Sequence, residues 1–280
     1  VTIEVSPIDM SIVSAYIHDE SGIVLTPGKE YLIQSRLGPI LQREQIFNYS
    51  DLIKRAQIDS SKRLRTMIVD SMTTNETSFF RDEWPFELMA HKLIPDILMR
   101  QLEMKQEGKP RIDIWSAASS TGQEVYSIAM ILKEMLFSLS RYWIRILGTD
   151  ISEWALSVGS RGVYSNLEIS RGLSERRRDR FFCRTDGGWK IDDELRSLAT
   201  FGTLNLIERF RHVGTFDIIL CRNVAIYFSL PKRVALFDGL ADQLRPNGIL
   251  LIGSTENLHG ISERFVREEF HGAVFYRKVC

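Results

Sequence analysis

The sequence predicts an α/β protein in two parts, a small all-helical N-terminal domain and then a mostly parallel, Rossmann-like sheet with crossover helices and an antiparallel C-terminal hairpin. Three observations carry this reading. Over residues 111–251 apolar strand-like runs alternate with helical patterns, the mark of βαβ units. The first seventy-odd residues show helical periodicity and no strands. The tail over residues 265–277 reads as two strands that turn at His271-Gly272.

In the helical part, Ser6-Pro7-Ile8-Asp9 offers an N-cap, a proline at the first helical position and an acid in the first turn. Ile12, Val13, Tyr16 and Ile17 follow on one face, and Gly22 ends the helix. A second helix over about 28–45 turns Tyr31, Leu32, Leu37, Ile40 and Leu41 inward and Lys29, Arg36 and Arg43 outward. A third starts near Ser50, and a fourth carries Lys62, Arg63, Arg65, Met67 and Ile68, which makes a small bundle over residues 1–72. Residues 73–84 are polar and then abruptly aromatic; they form the linker. In the second domain, residues 85–280, Trp84-Pro85 opens a helix reaching about Lys105, and Gly108-Lys109-Pro110 turns into a first strand at Arg111. Further strands cover 143–148, 200–204, 216–221 and 248–253, with a helix over about 125–137. The last two strands are dense in Ile and Leu, as strands covered on both faces are. The alternation breaks over 161–199. There Phe181-Phe182-Cys183-Arg184, a turn at 185–188 and Trp189-Lys190-Ile191 predict an inserted β-subdomain at about 181–199.

At 280 residues with 44% hydrophobic and 26% charged side chains, the chain is globular and long enough for one large domain and one small. A formal net charge of zero argues against a protein that coats nucleic acid. No run approaches the roughly 18 apolar residues a bilayer span needs, and no signal-peptide pattern opens the chain. Cys183, Cys221 and Cys280 are few, odd in number and far apart, with no CxxC pair. A reduced, cytoplasmic, metal-free protein is expected.

The first strand runs into Ser116-Ala117-Ala118-Ser119-Ser120-Thr121-Gly122-Gln123-Glu124, and the second stops at Thr149-Asp150. Ligands of open α/β sheets settle over the carboxyl ends of the strands, so this loop and Asp150 should face one crevice. Three glycines in G-x-G-x-x-G would mark a pyrophosphate site, but here only Gly122 is present and Glu124 puts a carboxylate where the pyrophosphate would lie. A carboxylate at a helix N-terminus repels phosphate and welcomes a cofactor carrying an ammonium and a sulfonium, which favours S-adenosylmethionine over NAD. Read alone, the loop also has a reading as a plain strand-to-helix turn, and Asp150 one as a cap before Ser152-Glu153.

A parallel sheet closed by a C-terminal hairpin is what class I S-adenosylmethionine-dependent methyltransferases build. The motifs resemble one family of them, the CheR chemotaxis receptor methyltransferases. They are Thr73-Thr74-Asn75-Glu76-Thr77-Ser78-Phe79-Phe80-Arg81, the loop ending at Glu124, Gly148-Thr149-Asp150-Ile151, Asn205-Leu206, Cys221-Arg222-Asn223-Val224-Ala225-Ile226-Tyr227-Phe228 and Ser254-Thr255-Glu256-Asn257. The resemblance covers essentially the whole chain through the order and spacing of these motifs.

It implies that Asn75, Thr77 and Arg81 lie against the cofactor, that Glu124 and Asp150 are its two acids, that Asn205 and Leu206 bracket the adenine, and that Arg222 and Asn223 stand beside the methionine moiety. Asn205 alone would also read as a helix cap. The implied reaction moves a methyl group to receptor glutamates, leaving S-adenosylhomocysteine. Arg81 would orient the incoming carboxylate or only clasp the cofactor; Tyr227 would flank the methyl group or only pack. Lys29, Arg36, Arg43, Lys54, Arg55, Lys62, Arg63 and Arg65 gather positive charge that could steer acidic receptor helices or simply be solvated. In some members the inserted hairpin captures a receptor C-terminal tether peptide. The turn at 185–188 is shorter here, which points to independence from such a tether. Ala225 stands where a larger apolar residue is common in the family.

Overall fold

The computed structural model describes residues 3–104 and 108–279. Helix α1 (Pro7–Ser21) begins in a reciprocal box, with the Asp9 amide donating to Ser6 Oγ and the Ser6 amide to the Asp9 carboxylate; Gly22 closes it at φ 79°. With α2 (Glu30–Arg43), α3 (Tyr49–Ile58) and α4 (Arg63–Met72) it packs around Val13, Ile17, Leu37, Leu52 and Ile68. Two expectations on α2 change. Ile33 takes the inward place while Tyr31, off the stripe formed by Ile33, Leu37 and Ile40, is 62% exposed. Arg36 is not a free surface cation, for it donates to the Met72 and Thr73 carbonyls and so satisfies the end of α4.

The helix opened by Trp84-Pro85 comes in two pieces, α5 (Trp84–Leu88) and α6 (Ile94–Glu103), joined by a π turn over Met89–Leu93. Pro95 lacks the amide that a continuous helix would use, and the widened turn sits just before it. The expected end at Lys105 lies outside the described residues, as does Cys280.

The rest of the chain runs β1 (Arg111–Ala117), α7 (Gln123–Met135), β2 (Trp143–Asp150), α8 (Glu153–Arg161), β3 (Val163–Tyr164), α9 (Asn166–Ser170), α10 (Glu175–Phe181), β4 (Phe182–Thr185), β5 (Gly188–Ile191), α11 (Asp193–Ser197), β6 (Ala199–Thr203), β7 (Phe216–Cys221), α12 (Leu230–Gln243), β8 (Leu244–Ile252), β9 (Phe265–Phe270) and β10 (Ala273–Lys278). The main sheet has the order β6-β2-β1-β7-β8-β10-β9; its first five strands are parallel, and β10 is antiparallel to both neighbours. Strand order reverses at β1, so the crevice of an open α/β sheet opens between the carboxyl ends of β1 and β7. Along β1 and β7, Ile112, Ile114, Ile218 and Leu220 enter one core while Trp115, Ala117, Ile219 and Cys221 enter the other. Burial on both faces explains the density of Ile and Leu in β7.

The insertion is larger than the hairpin expected at about 181–199. Val163 and Tyr164 pair with β5, giving a second sheet of order β3-β5-β4. A two-residue strand is too short to show alternation, which is why the sequence hid it.

Phe79 and Phe80 fasten the linker to the sheet domain. Phe79 meets Tyr164 and Phe182 edge-on at 5.1 and 5.5 Å, and Phe80 lies under the Arg177 guanidinium at 3.8 Å while its amide donates to Ser127 Oγ. Gly172, at φ 80°, is required here, since a Cβ would fall 1.9 Å from the Phe79 carbonyl oxygen. Among the described residues no helix is long and apolar enough to cross a membrane.

Candidate functional site

At the end of β1 the chain folds back sharply. Ala118 and Ser120 adopt left-handed φ of 65° and 50°, and Gly122 (φ 93°) opens α7, where a Cβ would lie 2.9 Å from Gly159 Cα. Asn223, just past β7, has φ 57°. Strained positions of this kind collect at functional sites. Each is held. Ser119 donates its amide to the Thr149 carbonyl at 2.8 Å, and Ser120 its amide to Asp150 Oδ2 at 2.8 Å. Glu256 Oε2 accepts both the Asn223 and Gly253 amides, at 2.8 and 2.7 Å, which gives the Ser254–Asn257 motif a structural task.

Above these strand ends lies a cleft, and all ten site residues singled out in the sequence line it. Asn75, Thr77 and Arg81 come from the linker, Glu124 from the first turn of α7, and Asp150 from the tip of β2. Asn205 and Leu206 follow β6, Arg222 and Asn223 follow β7, and Tyr227 ends a 3-10 turn over Ala225–Tyr227. The sequence reading missed Ser21 and Ile23, which reach the same cleft from the helical domain. Ile23 bridges to Phe228, and the Val24 amide donates to the Tyr227 carbonyl at 3.0 Å. No local pattern announces a contact across two hundred residues. Ser119 and Ser120 were also missed, though they lie inside the quoted loop.

The charges are arranged in pairs rather than left free. Glu124 accepts Ser116 Oγ at 2.7 Å on one oxygen and Arg222 Nη1 at 2.7 Å on the other, so its carboxylate is already paired. The Arg222 side chain is 2% exposed and also binds the Asp82 carboxylate at 2.7 Å and the Arg81 carbonyl at 2.9 Å. Asp150 is buried, and that burial lifts its pKa above the ordinary carboxylate value although the Ser120 and Ser152 amides oppose the rise. Ser152, not Asp150, caps α8, accepting the Ala155 amide. Arg81 Nη1 donates to the Glu76 carbonyl at 2.9 Å. Asn205 Nδ2 donates to the Glu20 carbonyl of α1 at 2.8 Å, tying the adjacent wall to the helical domain.

Arg222 Nε and Ser119 Oγ are buried polar atoms with no hydrogen-bond partner among the described residues. Such atoms on a cleft wall fit a ligand that brings its own hydrogen-bonding groups. A crevice at the sheet's switch point, one acid in the first turn of α7 and another at the tip of β2, and these two atoms together suit a polar, partly cationic nucleoside ligand.

Comparison with known proteins agrees with this architecture. Residues 8–73 match the model described as "CheR methyltransferase, all-alpha domain" and residues 75–273 match "CheR methyltransferase, SAM binding domain". A chemotaxis protein methyltransferase of Vibrio parahaemolyticus is 39% identical over 272 residues, 94% of each chain. Chemotaxis protein methyltransferase 1 of Vibrio cholerae is 40% identical over 270 residues, again 94% of each. The Pseudomonas aeruginosa protein of the same name is 34% identical over 273 residues, 96% of this chain and 97% of that one. With both domain types matched in order and relatives of near-equal length well above 30% identity, the chain belongs to the CheR methyltransferase family.

Proposed function

We propose that the protein transfers a methyl group from S-adenosylmethionine to the side-chain carboxylate of specific glutamates in the cytoplasmic domains of chemoreceptors. The products are glutamate methyl esters, which serve chemotactic adaptation, and S-adenosylhomocysteine; the work is done in the cytoplasm. The observation that carries this reading is the cleft shared by Glu124, Asp150, Arg81 and Tyr227 in a chain of this family.

Asp150 is suited to the ribose hydroxyls, Glu124 and Asn223 to the ammonium end, and Arg222 Nε to an acceptor on the methionine moiety. Asn75 and Thr77 lie along the linker wall, with Asn205 and Leu206 on the adenine side. The bound cofactor supplies an electrophilic methyl group on a sulfonium. A glutamate side chain, with a reference pKa of about 4.3, is already ionised near neutrality, so no residue has to act as a base. The protein's task is alignment, worth up to roughly 7–11 kcal/mol in favourable cases. Arg81 orients the carboxylate through its guanidinium fork, and the Tyr227 ring, 37% exposed at the cleft, flanks the methyl group.

Receptor steering falls to Lys29, Arg55 and Lys62, because Arg36 caps α4, Arg43 and Arg63 both face Glu44, Lys54 faces Asp51 and Arg65 pairs with Glu20. The hairpin β4–β5 turns through Asp186-Gly187 alone, which supports methylation without a tether peptide. The test is labelled methyl donor with purified receptor cytoplasmic fragments, with and without their C-terminal segment, followed by alkali release of methanol. Base-labile label on both fragments at equal rates is expected. Base-stable product, or label only on tRNA or metabolites, overturns the reaction; label only on the longer fragment overturns tether independence alone.

A further inference from the structure

We propose that a second groove, on the other side of the Ala225–Tyr227 turn from the cleft, seats the receptor helix that carries the substrate glutamate. It takes an apolar side chain one helical turn away from that glutamate, and Arg233 in its wall meets an acid of the same helix. The inference deepens the functional reading above and rests on it.

The groove is formed by Ala225 and Ile226, by Leu230, Arg233 and Phe237 of α12, and by Ile261 after β8. None of these six lines the cleft, and the wall between the two hollows is thin. Tyr227 lines the cleft while its chain neighbour Ile226 lines the groove. Consecutive Cα atoms are about 3.8 Å apart, and side chains three or four positions apart on a helix about 5–6 Å. A helix whose glutamate enters beside Tyr227 therefore brings a neighbouring turn over Ile226 and Leu230.

Both residues are open to solvent. Ile226 is 46% and Leu230 56% exposed, whereas Ala225, Phe228 and Phe237 around them are buried. With Tyr227 they make an apolar patch at the cleft mouth, continuous with the point of methyl transfer, rather than one stray side chain. Charge selects the occupant. Arg233 Nε donates to the Phe228 carbonyl at 3.0 Å, and among the described residues no carboxylate partners its guanidinium. Glu256 also lines the groove, but its Oε2 is taken by the Asn223 and Gly253 amides and its Oε1 is buried. Apolar walls with an uncompensated arginine are the complement of an amphipathic helix that carries acids beside its apolar stripe. Ala225 keeps the groove deep at the position where a larger apolar side chain is common in the family.

The test is steady-state methylation of a receptor cytoplasmic fragment, its esterified glutamate mapped by mass spectrometry, with wild type, Leu230→Ala, Arg233→Gln and Ala225→Met. Leu230→Ala and Ala225→Met should each raise the KM for the fragment by about threefold to tenfold, and Arg233→Gln by about twofold to fivefold. Both kcat and S-adenosylmethionine affinity, the latter read by calorimetry, should stay within about twofold of wild type. In the fragment, alanine in place of the apolar residue three or four positions from the esterified glutamate should raise the KM of wild type and add nothing in Leu230→Ala, which a merely structural role for Leu230 does not produce. Should Ala225→Met fail to fold, Leu230→Ala on the exposed rim decides the matter. An unmoved KM in Leu230→Ala, additive losses in the double substitution, or an esterified glutamate with no apolar residue at that spacing overturns the groove; an unmoved KM in Arg233→Gln overturns its pairing with an acid. Each of these leaves the methyl-transfer reading intact. If wild type esterifies no receptor fragment, that reading and this inference fall together.

Discussion

Glu124 answers three demands with one carboxylate: it accepts Ser116 Oγ, it neutralises Arg222, and it places negative charge in the first turn of α7, where the helix dipole favours it. Glu124→Gln keeps the shape and removes the charge. S-adenosylmethionine binding should weaken by about tenfold to a hundredfold, or roughly 1.4–2.8 kcal/mol, measured by calorimetry. Leaving buried Arg222 with a single counter-charge should also cost about 1–3 kcal/mol of folding stability, seen as a lower urea midpoint. Unchanged affinity would remove Glu124 from the ligand's surroundings. Arg81 poses a different question. Arg81→Lys keeps a cation but loses the planar fork, so methyl transfer to receptor should fall by about tenfold or more in kcat with cofactor affinity held within a few-fold. A parallel loss of cofactor affinity would reassign Arg81 to clasping the cofactor. The cleft residues were legible because strand ends and motif order point to them. The ion pairing of Glu124 was not, since its partner Arg222 lies 98 positions away.

The linker shows how an element without regular structure can be the best anchored part of a site. Phe79 is fully buried, and its ring meets Tyr164 of β3 and Phe182 of β4, so the inserted sheet holds the segment that carries Asn75, Thr77 and Arg81. Phe79→Ala should cost about 3–5 kcal/mol in chemical denaturation and raise the KM for S-adenosylmethionine, although Phe79 is not among the residues lining the cleft. Loss of stability with an unmoved KM would show that the linker keeps its path without this anchor. The legibility of elements follows the same physics. Helix α1 was readable from its capping residues and terminal glycine, and β7 from its density of Ile and Leu. Strand β3 was not, because two residues carry no period. The inward face of α2 was misread at Tyr31, since an aromatic residue near a helix start satisfies a composition rule without lying on the buried stripe.

At the scale of the whole molecule, the sheet separates stability from chemistry along its strands. The cleft stands at their carboxyl ends; toward the other end Asp113, with no exposed side-chain surface, is surrounded by Arg111, Arg145 and Arg245, and Arg245 also binds Asp217. The Asp113 amide donates to Asp217 Oδ2, which ties β1 to β7. Burial by itself would push the Asp113 pKa up, but the guanidiniums around it more than reverse that and leave it below the ordinary carboxylate value. A lowered pKa contributes stability that is complete above the unfolded-state value, about 4, and is lost as pH falls through the folded-state one. Asp113→Asn should therefore be about 3–5 kcal/mol less stable than wild type at pH 7, because three guanidiniums lose their shared counter-charge. In urea titrations the gap should hold down to about pH 5 and narrow below about pH 4, as wild-type Asp113 takes up a proton and loses the same interactions. S-adenosylmethionine affinity of the folded variant should stay within about twofold of wild type, since the stretch of β1 from Asp113 to Ala117, roughly 13 Å at 3.3 Å per residue, separates this network from the cleft. A stability gap that is independent of pH would mean that packing, not charge, makes Asp113 necessary; a large loss of affinity would mean that the two ends of the sheet are coupled.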